Sequence, residues 1–359
     1  VSEPVLDVAQ VVPQAVGGIR SHVRSLVPRL ESLDVRSVVF GPDGDLLDGG
    51  AVVRVPIPAR IRSTGWAAAV RVLRGDLGEA RVVHAHGLKA AWVADRARGS
   101  RPLVVTVHNL PLPAADGRPR RLAERVAASV LARADRLVAP SAAVLDALPA
   151  ALRVRAEVVL PVVDVATPTR SAADVRSELG VPAAAPLVVV VARLHRQKGL
   201  DVLARAWPTI RRSSSECRLV VVGDGPERAV VERTLGSLDG VLLAGARSPA
   251  TDVIAAADLT LVTSQWEAVP LVLVESVVLG TPAVSTDVGA ARALLGEPGL
   301  GAVVPVGDDA AIAAAVLEQL RVGVRTSTPA GRRSRPEWPR SLRPEPLVER
   351  LAEIYRELA

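Results

Sequence analysis

The stretch Gln265-Trp266-Glu267-Ala268-Val269-Pro270-Leu271-Val272-Leu273-Val274-Glu275 sets two carboxylates eight positions apart with no other charge between them. It follows an apolar run, Leu259–Val262, that reads as a strand, so Glu267 closes a loop and Pro270 opens a helix. Proline suits a first helical turn, where a missing N–H costs nothing. The free N–H groups and positive end of such a helix, near Leu271 and Val272, form a site for an anion such as a diphosphate. At 3.6 residues per turn Glu275 faces back toward the same place. A carboxylate beside a phosphate site points to sugar or ribose hydroxyls as its partners. The competing reading is a surface glutamate followed by a core helix that carries a second one. Strand, loop and helix in this order are the repeating unit of a parallel α/β sheet.

Working outward, the same rhythm fills the chain. Val5–Val12 reads as a strand, Gly17-Gly18 as a turn, and Ile19–Leu33 has helical spacing. Strands follow at Val35–Phe40, Arg81–His84, Leu103–Val107, Leu137–Ala139 and Val158–Val163, with helices at Trp66–Leu73 and Leu122–Leu131. Ser141 is placed to cap a helix from Ala142. Asp164–Ser171 reads as a linker. Beyond it come strands Leu187–Val191, Arg218–Val222, Val241–Leu243, Leu259–Val262 and Ala283–Ser285. The helices between them are Leu200–Arg211, Glu227–Leu235, Ala250–Ala256 and Pro270–Leu279. Residues 323–346, rich in Pro, Arg and Ser, read as a loop, and Leu347–Leu358 as a last helix. The expectation is two α/β domains, 1–165 and 166–346, with a ligand cleft between them.

Length and composition agree with this and exclude several classes. A chain of 359 residues supports two cores. Aromatics make up only 2% against 49% hydrophobic residues, so the cores are built from Val, Leu and Ala. No apolar run reaches a membrane span, and no basic start with an apolar block marks a secretory signal. The single cysteine, Cys217, rules out a disulfide framework within the chain or a cysteine-rich metal site. These features give the expectation of a cytoplasmic protein. Only Lys89 and Lys198 are lysines among 44 basic residues, the usage expected of a GC-rich bacterial genome. Residues 1–165 hold 22 basic against 16 acidic groups, whereas the remainder is balanced. A basic first half suits anionic head groups or an acidic substrate. Nucleic acid is not expected as a partner, since stacking aromatics are nearly absent.

Five further groups bear on chemistry. Gly17-Gly18 lets a backbone approach a bound group, or simply makes a tight turn. His84-Ala85-His86 puts two imidazoles on one strand face. Without a third or fourth ligand nearby they read as packing or a cleft wall rather than a metal site. His108, in Thr106-Val107-His108-Asn109, follows a strand directly and stands at the carboxyl edge where such sheets bind ligands; a capping role is the alternative. Arg193 and Lys198, five apart after strand Leu187–Val191, offer a planar fork and a point charge to one diphosphate. Gly223-Asp224-Gly225-Pro226 imitates a dinucleotide fingerprint, but Arg228 stands where its third glycine belongs, so no nicotinamide cofactor is expected.

In this order the motifs resemble the retaining, nucleotide-sugar-dependent glycosyltransferases of family 4, which have the GT-B fold of two Rossmann-like domains. Gly17-Gly18 is similar to that family's first glycine loop and His108 to its strand-end histidine. Arg193 with Lys198-Gly199 is similar to Arg-x4-Lys-Gly, and Glu267 with Glu275 to Glu-x7-Glu. Gly223-Asp224-Gly225-Pro226 and Gly280-Thr281-Pro282 also match. The resemblance implies that Arg193 and Lys198 neutralise the departing diphosphate. It gives the transferred sugar's hydroxyls to Glu267, the ribose to Glu275, and the phosphate to the amides near Leu271 and Val272. His108 contacts the sugar near its reacting carbon, and Gly18 approaches the diphosphate. It further implies a hexose donor carried on a nucleotide diphosphate, no cofactor and no required metal. The acceptor is a lipid, glycan or small-molecule hydroxyl, as in glycoconjugate or cell-envelope synthesis. Helix 347–359 is similar to the family's C-terminal helix, which returns to the first domain.

One loop departs from the pattern: Gly289-Ala290-Ala291-Arg292-Ala293 lacks the second glycine and the acid that the family often carries there. Other readings of the same fold are a sugar-nucleotide epimerase, a phosphorylase, or a cleft that binds without turnover. A pyridoxal-dependent phosphorylase needs a Schiff-base lysine, and Lys198 already fits the phosphate. Finally, Arg118, Arg120, Arg121 and Arg125 beside Leu122, Val126 and Val130 suggest a surface for peripheral contact with an anionic membrane at its inner face; a solvated helix is the alternative.

Overall fold

The computed structural model describes residues 6–14, 17–42, 47, 52–59, 64–108, 121–326, 338–339 and 342–359. The chain divides into two α/β units, one of Val1–Asp164 with Arg343–Ala359 and the other of Val165–Leu342.

In the first unit the elements run β1 (Leu6–Val11), α1 (Gly18–Glu31), β2 (Val35–Gly41), β3 (Val52–Arg54), α2 (Trp66–Asp76), β4 (Val82–His86), α3 (Leu88–Ala97) and β5 (Leu103–Thr106). They continue as α4 (Arg121–Arg133), β6 (Arg136–Ala139), α5 (Ala142–Ala147), α6 (Ala150–Arg153) and β7 (Ala156–Val158). All described strands pair in parallel in the order β3-β2-β1-β4-β5-β6-β7. Strand order reverses between β1 and β4, which defines a switch point at their carboxyl ends.

The second unit repeats the scheme. It comprises α7 (Ala172–Glu178), β8 (Leu187–Val191), α8 (Leu200–Ser213), β9 (Arg218–Val222), α9 (Arg228–Thr234), β10 (Val241–Gly245) and α10 (Thr251–Ala256). Then come β11 (Leu259–Val262), α11 (Leu271–Leu279), β12 (Ala283–Thr286), α12 (Ala291–Leu294), β13 (Gly301–Val304) and α13 (Asp309–Thr326). The sheet order β10-β9-β8-β11-β12-β13 puts its switch point between β8 and β11. Strands covered on both faces need apolar runs rather than alternation. Leu187, Val188, Val189 and Val190 in β8 are all buried. Trp207 of α8 is the largest side chain in this core, and its indole N–H donates to the Asp239 carbonyl at 2.8 Å.

A last helix, α14 (Pro344–Leu358), belongs to the first unit. Val348, Leu351, Ala352, Ile354 and Tyr355 pack with Leu26 and Leu30 of α1 and with Val8, Val82, Val104 and Val138 of the sheet.

Several boundaries differ from the sequence reading. The strand expected at Val158–Val163 is β7, Ala156–Val158, because the backbone leaves the sheet at the prolyl bond after Leu160. The linker ends at Ser171 as expected, but a helix not read in the sequence follows it: Ser171 caps α7, accepting from the Asp174 N–H at 3.1 Å. Pro270 is the cap residue before α11, with φ −72° and ψ 98°, rather than its first helical residue. Val130, assigned to a membrane-facing surface, is 1% exposed and points into the core of its unit. Val5, Asn109, Arg118, Arg120 and most of 323–346 lie outside the described residues, as do the side chains of Arg121 and Leu122.

Candidate active site

In the second unit the two loops that leave the switch point, Ala192–Gly199 after β8 and Thr263–Pro270 after β11, are stitched together. The Gln265 N–H donates to the Gln197 carbonyl at 2.7 Å, and the Thr263 hydroxyl donates to the Lys198 carbonyl at 2.8 Å. Gln197 Nε2 donates to the Trp266 carbonyl at 2.9 Å and reaches Glu267 Oε2 at 3.4 Å. Glu267 is thereby held from several sides: Ser264 Oγ donates to its Oε1 at 2.9 Å and Lys198 Nζ forms an ion pair with the same oxygen. Glu267 and Lys198 are both largely shielded, with side chains 11% and 24% exposed. A charge-assisted bond at that exposure is stronger than a surface pair.

Glycines permit this approach. Gly199 adopts φ +61°, and a Cβ there would collide with the Thr263 carbonyl oxygen. Gly223 and Gly225, the pair that imitates a dinucleotide fingerprint, back the Arg193 loop instead. A Cβ on Gly223 would strike the Ala192 carbonyl, and one on Gly225 the Leu194 carbonyl. Leu194 N–H donates to Asp224 O at 2.9 Å, and Glu227 N–H to Leu194 O at 3.0 Å. Gly289, with φ +52°, packs in the same way against the backbone of Glu267 and Ala268. In its loop Arg292 pairs with Asp287 at 2.6 Å. Gln197, Ser264 and Thr263 were missed in the sequence because short polar residues in a loop carry no periodic signal. Arg193 is exposed and bonds to no described residue, which leaves its guanidinium free for an external anion.

Helix α11 presents its first N–H groups beside this pair of loops. The Leu273 N–H turns back to Pro270 O at 2.9 Å, while Leu271 and Val272 stand half-buried at the helix start. Glu275 lies one turn further on. Burial pushes its carboxyl up to about 7, and no described residue bonds to it. A shielded carboxyl with no described partner can accept a hydrogen bond and, when protonated, donate one. Thus the structure brings Lys198, Glu267, Leu271, Val272 and Glu275 into one region of the second unit, with Arg193 on the adjoining loop.

Gly17, Gly18 and His108 belong to the first unit. Gly17, at φ +78° and exposed, precedes α1, and no side chain caps that helix start. His108 follows β5 and is 9% exposed. It lines a small pocket with His22, Thr106, Pro140 and Leu351. Burial lowers its pKa to about 3 and that of His22 to about 4, so both rings are neutral. His84 and His86 are also buried, and each is engaged in hydrogen bonds. His84 meets the Tyr355 hydroxyl at 2.6 Å and the Thr106 hydroxyl at 2.7 Å, and His86 meets Gln10 Oε1 at 2.9 Å. Both are buried core residues whose hydrogen bonds are made within the unit.

Comparison with known proteins bears on what this arrangement is. Residues 16–167 match the family described as Glycosyltransferase Family 4, and residues 185–321 match Glycosyl transferases group 1. The chain is 30% identical to the D-inositol 3-phosphate glycosyltransferase of Salinispora arenicola over 94% of this chain and 81% of that protein. It is 29% identical to the phosphatidyl-myo-inositol mannosyltransferase of Mycobacterium leprae over 85% and 84%. Among solved structures, sucrose-phosphate synthase of Thermosynechococcus elongatus superposes with a TM-score of 0.76 at 19% identity, covering 98% of this chain and 99% of that one. Anabaena HepE in complex with UDP and glucose does so at 0.76 and 20%, covering 97% and 99%. With two doubly wound units in the GT-B pattern and relatedness along nearly its whole length, the chain belongs to glycosyltransferase family 4 and is a glycosyltransferase.

Proposed function

We propose that the protein moves a hexose from a nucleotide-diphosphate sugar to a hydroxyl acceptor with retention of anomeric configuration. The observation that carries this reading is the second unit's switch point. There Lys198 and Arg193 supply positive charge, the α11 start supplies N–H groups, and Glu267 and Glu275 supply acceptors for hydroxyls. Arg193, Lys198 and the helix end stabilise the diphosphate as the bond from its oxygen to the anomeric carbon breaks. The acceptor oxygen forms its bond on the same face, and its proton passes to the departing phosphate oxygen. Fixed cations and backbone dipoles meet the developing charge without a metal or cofactor. Glu267 orients the transferred sugar, and Glu275 takes the ribose hydroxyls. In the first unit His108 is assigned to the sugar and Gly17-Gly18 to the diphosphate. That Anabaena HepE is found with UDP and glucose supports a nucleotide-sugar donor. Relatives named for inositol phosphate and phosphatidylinositol support a phosphorylated polyol or lipid acceptor.

The test is nucleotide release from UDP-glucose, GDP-mannose and ADP-glucose, followed by NMR of the newly formed sugar. Release from one of them with an initial α-anomer product is expected. A β-anomer product contradicts retention, and conversion of the donor sugar with no release favours an epimerase. No described helix is long and apolar enough to cross a membrane. Peripheral contact rests on the basic first unit alone; flotation with anionic vesicles at low salt tests it, and no binding ends it.

A further inference from the structure

Four of the five histidines lie in one buried cluster of the first unit, and hydrogen bonds join three of them, His84, His86 and His108, in a line through Tyr355 and Gln10. On the sheet face that α1 and α14 cover, an apolar layer of Val8, Val82, Val104 and Val138 gives way toward the carboxyl edge to Gln10, His84 and Thr106. Beyond these come His86 and His108. The Gln10 amide donates from Nε2 to the Tyr355 hydroxyl at 3.4 Å and to Ser37 Oγ at 3.4 Å. Its Oε1 therefore faces His86 Nε2, at 2.9 Å. A carbonyl oxygen only accepts, so His86 carries its proton on Nε2 and has a bare Nδ1. That bare nitrogen lies 3.5 Å from His108 Nε2. Two bare nitrogens would repel, so His108 carries its proton on Nε2 and leaves Nδ1 with a lone pair. No described residue bonds His108 Nδ1.

We propose that Gln10, His86 and Tyr355 are positioning residues that fix the tautomer of His108, so that His108 offers Nδ1 as a hydrogen-bond acceptor to a substrate hydroxyl. The functional half of this inference rests on the assignment of His108 to the sugar; the relay itself does not. Burial supports the relay, because an imidazolium at any of these positions would be desolvated and the neutral rings must choose one tautomer. Tyr355 makes α14 part of it: its hydroxyl, held by His84 Nδ1 at 2.6 Å, in turn holds the amide of Gln10.

The decisive experiment is long-range 1H–15N correlation on the full chain labelled at its histidine rings, free of ligand at pH 7.5. His108 and His86 should each show a protonated Nε2 and a bare Nδ1. A bare Nε2 on His108 overturns the relay. Gln10→Leu should redistribute the His108 tautomers and lower nucleotide release from the sugar that the wild type uses by about tenfold in kcat, the worth of one hydrogen bond, with KM little changed. His86→Asn, whose side-chain carbonyl stands where Nδ1 was, should restore the wild-type His108 tautomer, whereas His86→Leu should not. A merely structural role would shift thermal stability in all three variants without sorting them by tautomer, and that result also counts against the relay. His108→Ala separates the two levels: turnover unchanged from wild type removes the sugar assignment, whatever the NMR shows.

Discussion

Glu267 is the residue on which the second unit's site converges, with Lys198 and Ser264 on one oxygen and Gln197 on the other. Replacing it with Ala leaves the Lys198 ammonium without its partner and, under the proposed function, removes the carboxylate that accepts from the sugar's hydroxyls. A loss on the order of 10²–10³-fold in kcat is expected, from steady-state nucleotide release. Glu275 makes a different prediction, because burial works against its charge. Its folded pKa of about 7 lies above the unfolded value, so the fold gains from its protonated form below about 4.5 and loses that gain as pH rises through 7. Glu275→Gln should therefore raise the melting temperature at pH 8 and not at pH 4.5, while weakening nucleotide binding. Calorimetric scans at the two pH values measure the first effect and a nucleotide titration the second. His22 and His108 run the other way: their folded values, about 4 and about 3, lie below 6.5. The stability they give is full above pH 6.5 and is lost as pH falls toward 4, where the unfolded chain takes up the protons. Replacing His22 with Asn should flatten that acid limb of a thermal-stability profile.

At the scale of elements, the site is made by loops that leave neighbouring strands at the point where sheet order reverses. The loop after β8 can touch the loop after β11 only because Gly199 lacks a Cβ, and Gly223 and Gly289 let the segments after β9 and β12 approach those two loops in the same way. Gly199→Ala meets both a positive φ and the Thr263 carbonyl, so a cost of about 2 kcal/mol or more is expected in denaturant unfolding, together with loss of turnover. Much of this level was legible in the sequence. Valine-rich runs bounded by glycine and proline marked β8, β9 and β11, and the start of α11 was placed to within one residue. The spacing of Arg193, Lys198, Glu267 and Glu275 named the motif. The binding partners inside it were not legible: Gln197 and Ser264 act through loop geometry that no periodicity encodes. Gly-Asp-Gly-Pro imitates a dinucleotide fingerprint and backs the Arg193 loop, because close backbone approach calls for glycine in both cases. The strands β3 and β13 and the helices α3, α6, α7, α12 and α13 went unread, β3 for its three-residue length and α3 and α13 for their alanine-rich faces.

Over the whole molecule, the chain builds one unit, then the other, and returns to the first with α14. That helix buries Val348, Leu351, Ile354 and Tyr355 against α1 and the sheet. A chain ending at residue 343 exposes that apolar face and removes the hydroxyl that Gln10 and His84 share. Its product should be aggregated or hydrogen-exchange labile throughout the first unit, with the second unit's protection unchanged. The sequence showed this return only through family resemblance, since a helix at the end of a chain does not state which core it covers. The central claim concerns the second unit: its switch point holds a nucleotide-diphosphate sugar by Arg193, Lys198 and Glu267. The measurement that tests it most directly is nucleotide release from UDP-glucose, GDP-mannose and ADP-glucose by wild type and by Arg193→Ala, Lys198→Ala and Glu267→Ala, each confirmed folded by circular dichroism. The account predicts turnover of one donor by the wild type and a loss of at least about a hundredfold in every variant. Turnover at the wild-type rate in all three variants would contradict it.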